Sequence, residues 1–469
     1  MFANAKRPRK GHFVGGGVLL AGTAVLLASG YGPWASPSAS ISGAPLAGAP
    51  ADEVAAFAGL ADTTPLPGQA AGKVAAGRAA AGTAAAPVDL AKLLDLDKIS
   101  RQGDQYVATL ADGRRAVLTL DPKLQTLAER LLDEARAPRA GIVAMTPDGK
   151  ILALAGRRAN DPPPKTPKKK GARKGTFDWR HATEVWAPGA SIFKLVTASA
   201  LLKAGVDPDG KVCYHGGLRS VLEHNLRDDR RDFRCDSLAF GVAHSQNAIL
   251  GKLAFQKLEP PALEAEARLL GWSAPVTGDL GGAAGETAIP RAHDLEFARA
   301  AAGFTGARLS VLGGALLAAT FASGGEEPPA RLVASVDGAP VPAARPRRAI
   351  AGETARAVAR MMAGTCDEGS AARVFGRHRN IRVAGKTGTL AQSAPTFIEH
   401  SWFVGFAPAD RPELVVSVLI GNSEAWHLRG HEVARRLIDG ALAAAPATAR
   451  EKGRTAALAP PDVLAARTR

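Results

Sequence analysis

The chain has 469 residues, 46% hydrophobic and 22% charged, an ordinary globular balance over a length that suits about three domains. That excludes a wholly disordered chain, a collagen-like repeat and a many-span transporter. Lysine and arginine number 59 against 44 aspartates and glutamates, and the net charge of +15 suits an anionic cell-wall polymer, anionic lipid or nucleic acid without choosing among them.

Residues 1–36 read as a targeting segment. Lys6, Arg7, Arg9 and Lys10 precede Phe13–Gly30, a run of 18 residues without a charge. Such a run is just long enough to cross a bilayer as a helix, and the basic flank would hold its start in the cytoplasm. An uncleaved anchor fits the length. A cleaved signal fits the small residues Ala35, Ser36 and Ser38. Either option puts the body of the protein outside the cytoplasm. Residues 37–86 are a low-complexity linker of Ala, Gly, Pro, Ser and Thr with no periodic apolar face. One ordered domain is expected over 87–445, followed by a flexible tail over 446–469.

Within the domain, Asp112-Gly113 separates Tyr106-Val107 from Val117-Leu118-Thr119, a hairpin signal. Asp121-Pro122 then caps a helix whose Leu124, Leu127, Ala128, Leu131, Leu132 and Ala135 share one face. Residues 140–156 form a second hairpin around Pro147-Asp148-Gly149, and 400–420 a third around Pro408–Pro412. Between the last two, 160–175 is a Pro- and Lys-rich interruption that reads as a solvated loop. Helical patterns fill 191–204, 261–270, 311–322, 353–363 and 430–443. Strands therefore lie at both ends and helices in the middle. The expected fold is α+β: an antiparallel sheet flanked by helices, with an all-helical subdomain inserted.

Cys213 and Cys235 lie 22 residues apart in a loop-like stretch. In an oxidising compartment they can pair, closing a loop worth roughly 3 kcal/mol. The alternative is two unpaired buried thiols. Cys366 is left over as a small packing residue. There is no CxxC, HExxH or GxxxxGK[ST], and the ten histidines show no ligand spacing, so no metal or cofactor is expected. No recognition helix or aromatic platform supports nucleic-acid binding. Trp186 and Trp402 flank motifs but read as core.

The chemistry concentrates in three short motifs. In APGASIFKLVTASALLKAG, Ser191 and Lys194 are three apart at a helix start and so share a face. A serine hydroxyl needs a base, and a lysine one turn away can serve if its charge is suppressed. The helix start also offers N–H groups to a developing oxyanion. Ser245-Gln246-Asn247 follows 54 residues later, and Lys386-Thr387-Gly388-Thr389 another 141 residues on, after the strand-like IRVAG. Each motif alone is weak: a capping serine, a surface triplet, a simple turn. The three in this order are strong.

SxxK, SxN and KTG in this order resemble the penicillin-binding proteins and serine β-lactamases, the D,D-peptidase superfamily. LTLDPKLQTLAERLL, GIVAMTPDGKILALAG, LSVLGGALLAATFASGG and SWFVGFAP extend the likeness to about residues 117–443. The resemblance implies a β-lactamase/transpeptidase-like fold and an acyl-serine mechanism. Ser191 would be acylated, and Lys194 would take or relay its proton. Ser245 would pass a proton to the leaving amine, while Asn247 would hold the substrate's peptide carbonyl. Lys386 would supply positive charge, and with Thr387 and Thr389 would bind the terminal carboxylate beside Gly388. The N–H groups of Ser191 and Thr389 would form the oxyanion hole. The implied substrates are peptidoglycan stem peptides ending in D-Ala-D-Ala, with β-lactams as mimics and a separate glycosyltransferase as a partner. Ile192 stands where Thr is common, and Ser310-Val311-Leu312 replaces the usual Ser-Pro-Leu. A D,D-carboxypeptidase shares the same site. A β-lactamase is disfavoured, because Glu286 lies in no ExxxN pattern and Asn247 stands where class D enzymes usually have an apolar residue. A non-catalytic penicillin-binding scaffold is disfavoured by the intact motifs.

Overall fold

A computed structural model of the chain describes residues 89–159, 175–376, 381–393 and 396–443. The expected anchor or signal (1–36), the linker (37–86), the lysine-rich stretch 160–174 and the tail (446–469) lie outside the described residues. Among the described residues, no helix is long and apolar enough to cross a membrane.

The main sheet has six antiparallel strands in the order Ala384–Gln392, Ile398–Ala407, Leu414–Asn422, Arg139–Met145, Ile151–Arg158, Thr176–Phe177. The expected hairpins form: Ala144 faces Ala153 around the Pro147-Asp148-Gly149 turn, and Phe403 faces Val418 around the Pro408–Pro412 turn. The two ends of the domain meet in the middle of this sheet, where Val418 pairs with Ile142. Side chains alternate between two cores with the period of two that strands impose. Ile142, Ala144, Phe403, Val416 and Val418 enter one core, while Val143, Met145, Trp402, Val404 and Val415 enter the other.

The first core is closed by two helices. Pro122–Ala135 starts cleanly because the Asp121 carboxylate accepts from the Lys123 and Leu124 N–H groups and Pro122 needs no partner. It buries Leu124, Ala128, Leu131, Leu132 and Ala135. Each full burial of a leucine contributes roughly 1.5–3 kcal/mol. Gln125 clamps this helix to the sheet, donating to the Leu154 carbonyl at 2.9 Å and accepting from the Leu154 N–H at 2.8 Å. Gly430–Ala443 lies beside it, burying Val433, Ala434, Leu437 and Ile438.

On the other face lies Val311–Ala322, apolar on every side and buried from Val311 to Phe321. Ser310 caps it, its hydroxyl accepting from the Gly313 N–H at 2.8 Å. Gly314 lets it approach the sheet: a Cβ there would lie 2.6 Å from the Ser417 hydroxyl.

The inserted region holds the helices Lys194–Lys203, Leu238–Ala243, Asn247–Lys257, Pro260–Leu269 and Leu295–Ala301. It also carries short strands that no apolar alternation announces: Lys211–Tyr214 pairs with Arg234–Ser237, and Ala307–Leu309 lies between Gly285–Thr287 and Ala187–Pro188. Helix Gly352–Asp367 runs four residues past its expected end. The hairpin expected around Asp112-Gly113 also forms, with Val107 facing Val117, but it belongs to a second sheet that no sequence pattern announces: Ile99–Gln102, Gln105–Thr109, Arg115–Leu118, Val333–Val336 and Ala339–Pro340, joined where Val333 meets Leu118.

Candidate active site

The segment expected to start a helix at Ser191 instead makes a 3-10 turn over Ala190–Ile192, and the α-helix begins at Lys194. Ala190 sits at φ +47°, in the left-handed region that few non-glycine residues adopt. Gly303 supports that turn from outside: its φ is +85°, and a Cβ there would lie 2.2 Å from the Ala190 carbonyl oxygen. The tight turn leaves Ser191 half-buried at the cleft floor while Lys194 points inward and is fully buried.

Lys194 Nζ lies 2.8 Å from Ser191 Oγ, 3.1 Å from Ser245 Oγ, 3.3 Å from the Ser245 carbonyl and 2.5 Å from Asn247 Oδ1. No carboxylate is among these partners. Burial first, and the Lys386 charge second, hold the Lys194 amine well below the usual lysine range. Nζ is therefore shared among Ser191 Oγ, Asn247 Oδ1 and the Ser245 oxygens, with its pKa pushed down by burial; an amine that had lost its proton would keep two N–H donors for Asn247 and Ser245 and one lone pair for the Ser191 hydroxyl.

Ser245 and Asn247 are placed by a loop between two helices. Ser245 has φ +57°, a second left-handed residue, and Asn247 opens the helix Asn247–Lys257. Asn247 Nδ2 donates to the Leu218 carbonyl at 3.1 Å, which turns Oδ1 toward Lys194. Strained backbone of this kind concentrates at functional sites.

The third motif lies within Ala384–Gln392, so the strand starts later than IRVAG suggested. This is the edge strand of the sheet, and alternate N–H and C=O groups face outward from it. Lys386 is fully buried, donating to the Thr387 carbonyl at 2.9 Å, and burial lowers it to about 7. Gly388 is buried against Ile192 and Trp402. Thr387 shares a 2.6 Å hydrogen bond with the Ser370 hydroxyl, and Thr389 is exposed. A cleft of about 480 Å³ runs over Ser191, Ser245, Asn247, Thr387 and Thr389.

Cys213 and Cys235 face each other across the short hairpin and are joined by a disulfide. The loop they close carries Leu218 and Arg219, which line the cleft. Buried Lys252 anchors that loop by donating to Asp232 at 2.7 Å and to the Cys213 carbonyl at 2.9 Å. Trp402 is buried, its Nε1 donating to the Pro188 carbonyl at 2.9 Å, and Trp186 stacks on His181 at 4.3 Å. Both are packing residues. Cys366 is buried and free, and burial pushes its thiol up. Glu286 is exposed on its strand and does not line the cleft. Among the described residues, no cluster of His, Cys, Asp and Glu is placed to hold a metal. Gly303, Ser370 and Lys252 escaped the sequence reading, since each acts through partners far away in the chain.

Residues 140–439 match the family model of the penicillin binding protein transpeptidase domain. The chain belongs to that family. It is 26% identical, over 74% of this chain and 76% of the other, to the peptidoglycan D,D-transpeptidase PbpA of Mycobacterium tuberculosis. It is 28% identical, over 73% of this chain and 54% of the other, to the stage V sporulation protein D of Bacillus subtilis. Among solved structures, the D,D-transpeptidase domain of the peptidoglycan glycosyltransferase from Eggerthella lenta is 26% identical, with a TM-score of 0.54 over 71% of this chain and 83% of that one. The imipenem acyl-enzyme complex of M. tuberculosis penicillin-binding protein A is 25% identical, with a TM-score of 0.54 over 70% of this chain and 80% of that one. The transpeptidase domain thus holds both the main sheet and the three motifs.

Proposed function

We propose that this chain is a peptidoglycan D,D-transpeptidase that works through an acyl ester on Ser191. The observation that carries the reading is Lys194: fully buried, without a carboxylate partner among the described residues, and 2.8 Å from Ser191 Oγ. Ser191 Oγ attacks the carbonyl carbon of the penultimate D-alanine in a stem peptide. Its proton passes to Lys194 Nζ and then through Ser245 Oγ, 3.1 Å away, to the departing nitrogen. A C–O bond forms, the C–N bond breaks, and terminal D-alanine leaves.

The donor peptide lies extended along the edge strand, adding its own main-chain hydrogen bonds. The leaving carboxylate sits at Thr387 and Thr389, over the buried charge of Lys386. Asn247 holds a peptide carbonyl of the donor. The N–H groups of Ser191 and Thr389 receive the oxyanion, worth about 3 kcal/mol per donor. An amine of a second strand then attacks the ester. A C–N bond forms, the C–O bond breaks, and a proton from that nitrogen returns through Ser245 and Lys194 to Ser191 Oγ. β-Lactams enter as donor mimics.

A location outside the cytoplasm is part of this proposal. The basic flank with the uncharged run Phe13–Gly30 supports it, as does a disulfide between Cys213 and Cys235. A membrane-bound glycosyltransferase supplying the strands fits the same location.

The test is fluorescent-penicillin labelling of the purified chain beside Ser191→Ala, followed over hours. Labelling that persists in the wild type and vanishes in the variant is expected. A label that decays within minutes marks a hydrolase, and a folded wild type that takes no label overturns the reading.

A further inference from the structure

Transfer of the acyl group to a strand amine releases a proton that the relay does not take up. The amine arrives as an ammonium. Its nitrogen loses one proton to become a nucleophile and a second when the amide forms. The second is the one returned through Ser245 and Lys194, because Ser191 Oγ needs a single proton to leave as a hydroxyl. The first has no destination among those groups.

Where that proton is lost follows from the order of events. The attacking nitrogen takes the position the departing nitrogen vacated, since both exchange a proton with Ser245 Oγ. The body of the acceptor therefore lies where terminal D-alanine lay, beside Thr387. The wall of the cleft is continuous there. The Thr387 and Ser370 hydroxyls share a bond of 2.6 Å, the Ser370 N–H donates to the Ala243 carbonyl at 3.0 Å, and Ser245 Oγ lies 3.1 Å from Lys194 Nζ. His244 stands between Ala243 and Ser245 in that wall and lines the cleft. It closes the helix Leu238–Ala243, its N–H donating to the Phe240 carbonyl at 2.9 Å. Its ring stacks on Phe240 with centroids 4.1 Å apart, which supports one face of the imidazole. Among the described residues, neither ring nitrogen has a partner. The residue is exposed, so water reaches the ring.

The other charged and basic groups of the cleft are unsuited to this proton. Arg219 and Arg429 stay protonated and accept nothing. Lys194 carries the Ser191 proton, and Lys386 is buried and donates to the Thr387 carbonyl. Glu399 faces Ala391 across the strands, toward the far end of Ala384–Gln392. His431 follows Gly430, whose N–H donates to the hydroxyl of Ser401, the cross-strand neighbour of Thr389, so it lies on the edge-strand side of the cleft.

We infer that His244 is a further catalytic residue of the transfer step, the base that takes the first proton from the acceptor ammonium. A ring nitrogen accepts that proton, the free amine attacks the ester carbon, and the imidazolium then gives the proton to water. Acylation involves no ammonium, so His244 has no part in it. The inference rests on the proposed acyl-serine reading of Ser191 and deepens it.

The test uses the full chain, a synthetic donor peptide ending in D-Ala-D-Ala, and two small acceptors in place of a strand. Nα-acetyllysine is an ammonium at neutral pH, and hydroxylamine is already a free amine there. Mass spectrometry reads the ratio of transferred to hydrolysed product within each protein, so a change in acylation rate cancels. His244→Ala and His244→Gln should lower that ratio for Nα-acetyllysine about a hundredfold, the lower end of a general-base contribution, and spare hydroxylamine. Added imidazole should restore transfer to Nα-acetyllysine in His244→Ala, where it can occupy the place of the ring beside Phe240. Thermal melts check that both variants fold, and both should still be labelled by penicillin. A wild-type ratio for Nα-acetyllysine in the variants overturns the inference. Equal losses on both acceptors also overturn it, because His244 would then shape the acceptor space without moving a proton. So does a wild type that passes the acyl group to water alone, or a loss of penicillin labelling in both folded variants, which would put His244 in acylation. Each of these leaves the Ser191 reading standing. A folded wild type that takes no penicillin overturns the Ser191 reading and the role of His244 with it.

Discussion

Lys194 and Lys252 are both fully buried, on helices that pack against each other, and their surroundings push their pKa values in opposite directions. Around Lys194 stand two hydroxyls, an amide and a carbonyl, and burial lowers it well below the usual lysine range. Around Lys252 burial acts in the same direction, but hydrogen bonds and ion pairs with Asp232 and Asp228 outweigh it and raise the ammonium instead. Burial alone therefore does not decide the charge of a lysine; the partner does. One lysine is a structural cation tying down the loop behind the cleft. The other is denied a carboxylate, and in the proposed mechanism that denial makes it a base.

The sharpest way to break this comparison is to remove each amine in turn. Lys194→Met should lower the rate of Ser191 acylation by penicillin about a thousandfold, the size of a general-base contribution. It should not lower the denaturation midpoint, because methionine fills the space and strands no charge. Lys252→Met should cost about 3 kcal/mol in chemical denaturation, because Asp232 is left buried without its cation. Adding Asp232→Asn should recover part of that loss. A Lys194→Met variant that retained a tenth of the wild-type rate would place the base elsewhere. A Lys252→Met variant as stable as wild type would remove the contrast.

A third lysine sharpens it through pH. Burial lowers Lys386 from the ordinary lysine value of 10.5 to about 7. Its cation attracts the substrate carboxylate, so kcat/KM for a D-Ala-D-Ala peptide should fall above a midpoint near pH 7, by about tenfold per unit. Stability should move the opposite way. Between the folded value near 7 and the unfolded value of 10.5, the unfolded chain binds more protons at this site. Its contribution to stability therefore rises with pH across that window. Lys252 has the opposite sign: its raised value adds stability that is present below the unfolded lysine value and is lost as pH rises through the folded one. Lys386→Arg, which stays protonated, should abolish the alkaline limb of the rate. A limb still present in that variant would assign the titration to another group.

What the sequence made legible was whatever a few consecutive residues determine. The spacing of Ser191 and Lys194 places both on one side of a turn, and Asp121-Pro122 starts a helix, whatever the rest of the chain does. The turn at Pro147-Asp148-Gly149 sets a hairpin register, and the joining of both chain ends into one sheet follows from two such hairpins. What was not legible depends on distant partners. Val333–Val336 is four residues long and becomes a strand because Arg115–Leu118 offers an edge. Gly303 matters because the Ala190 carbonyl occupies the space of its Cβ. Lys252 reads as one more helix lysine until Asp232 is brought beside it by the disulfide loop.

Ser370 belongs to this second group and gives the smallest expected effect. Its N–H donates to the Ala243 carbonyl at 3.0 Å, which fixes it to the end of the helix just before Ser245. Its hydroxyl meets the Thr387 hydroxyl at 2.6 Å. If Ser370 donates, the Thr387 proton is free to point into the cleft, toward the proposed carboxylate site. Ser370→Ala then removes the constraint without removing the donor. The cost should be about 1 kcal/mol, a roughly fivefold rise in KM for a peptide with a free terminal carboxylate. The same peptide with an amidated terminus should lose little, because it offers no carboxylate to orient against. In a Thr387→Ala background, Ser370→Ala should add nothing further, since the hydroxyl it orients is already gone. Equal losses on both peptides, or additive losses in the double variant, would mean that Ser370 acts on the backbone through Ala243 and not on Thr387.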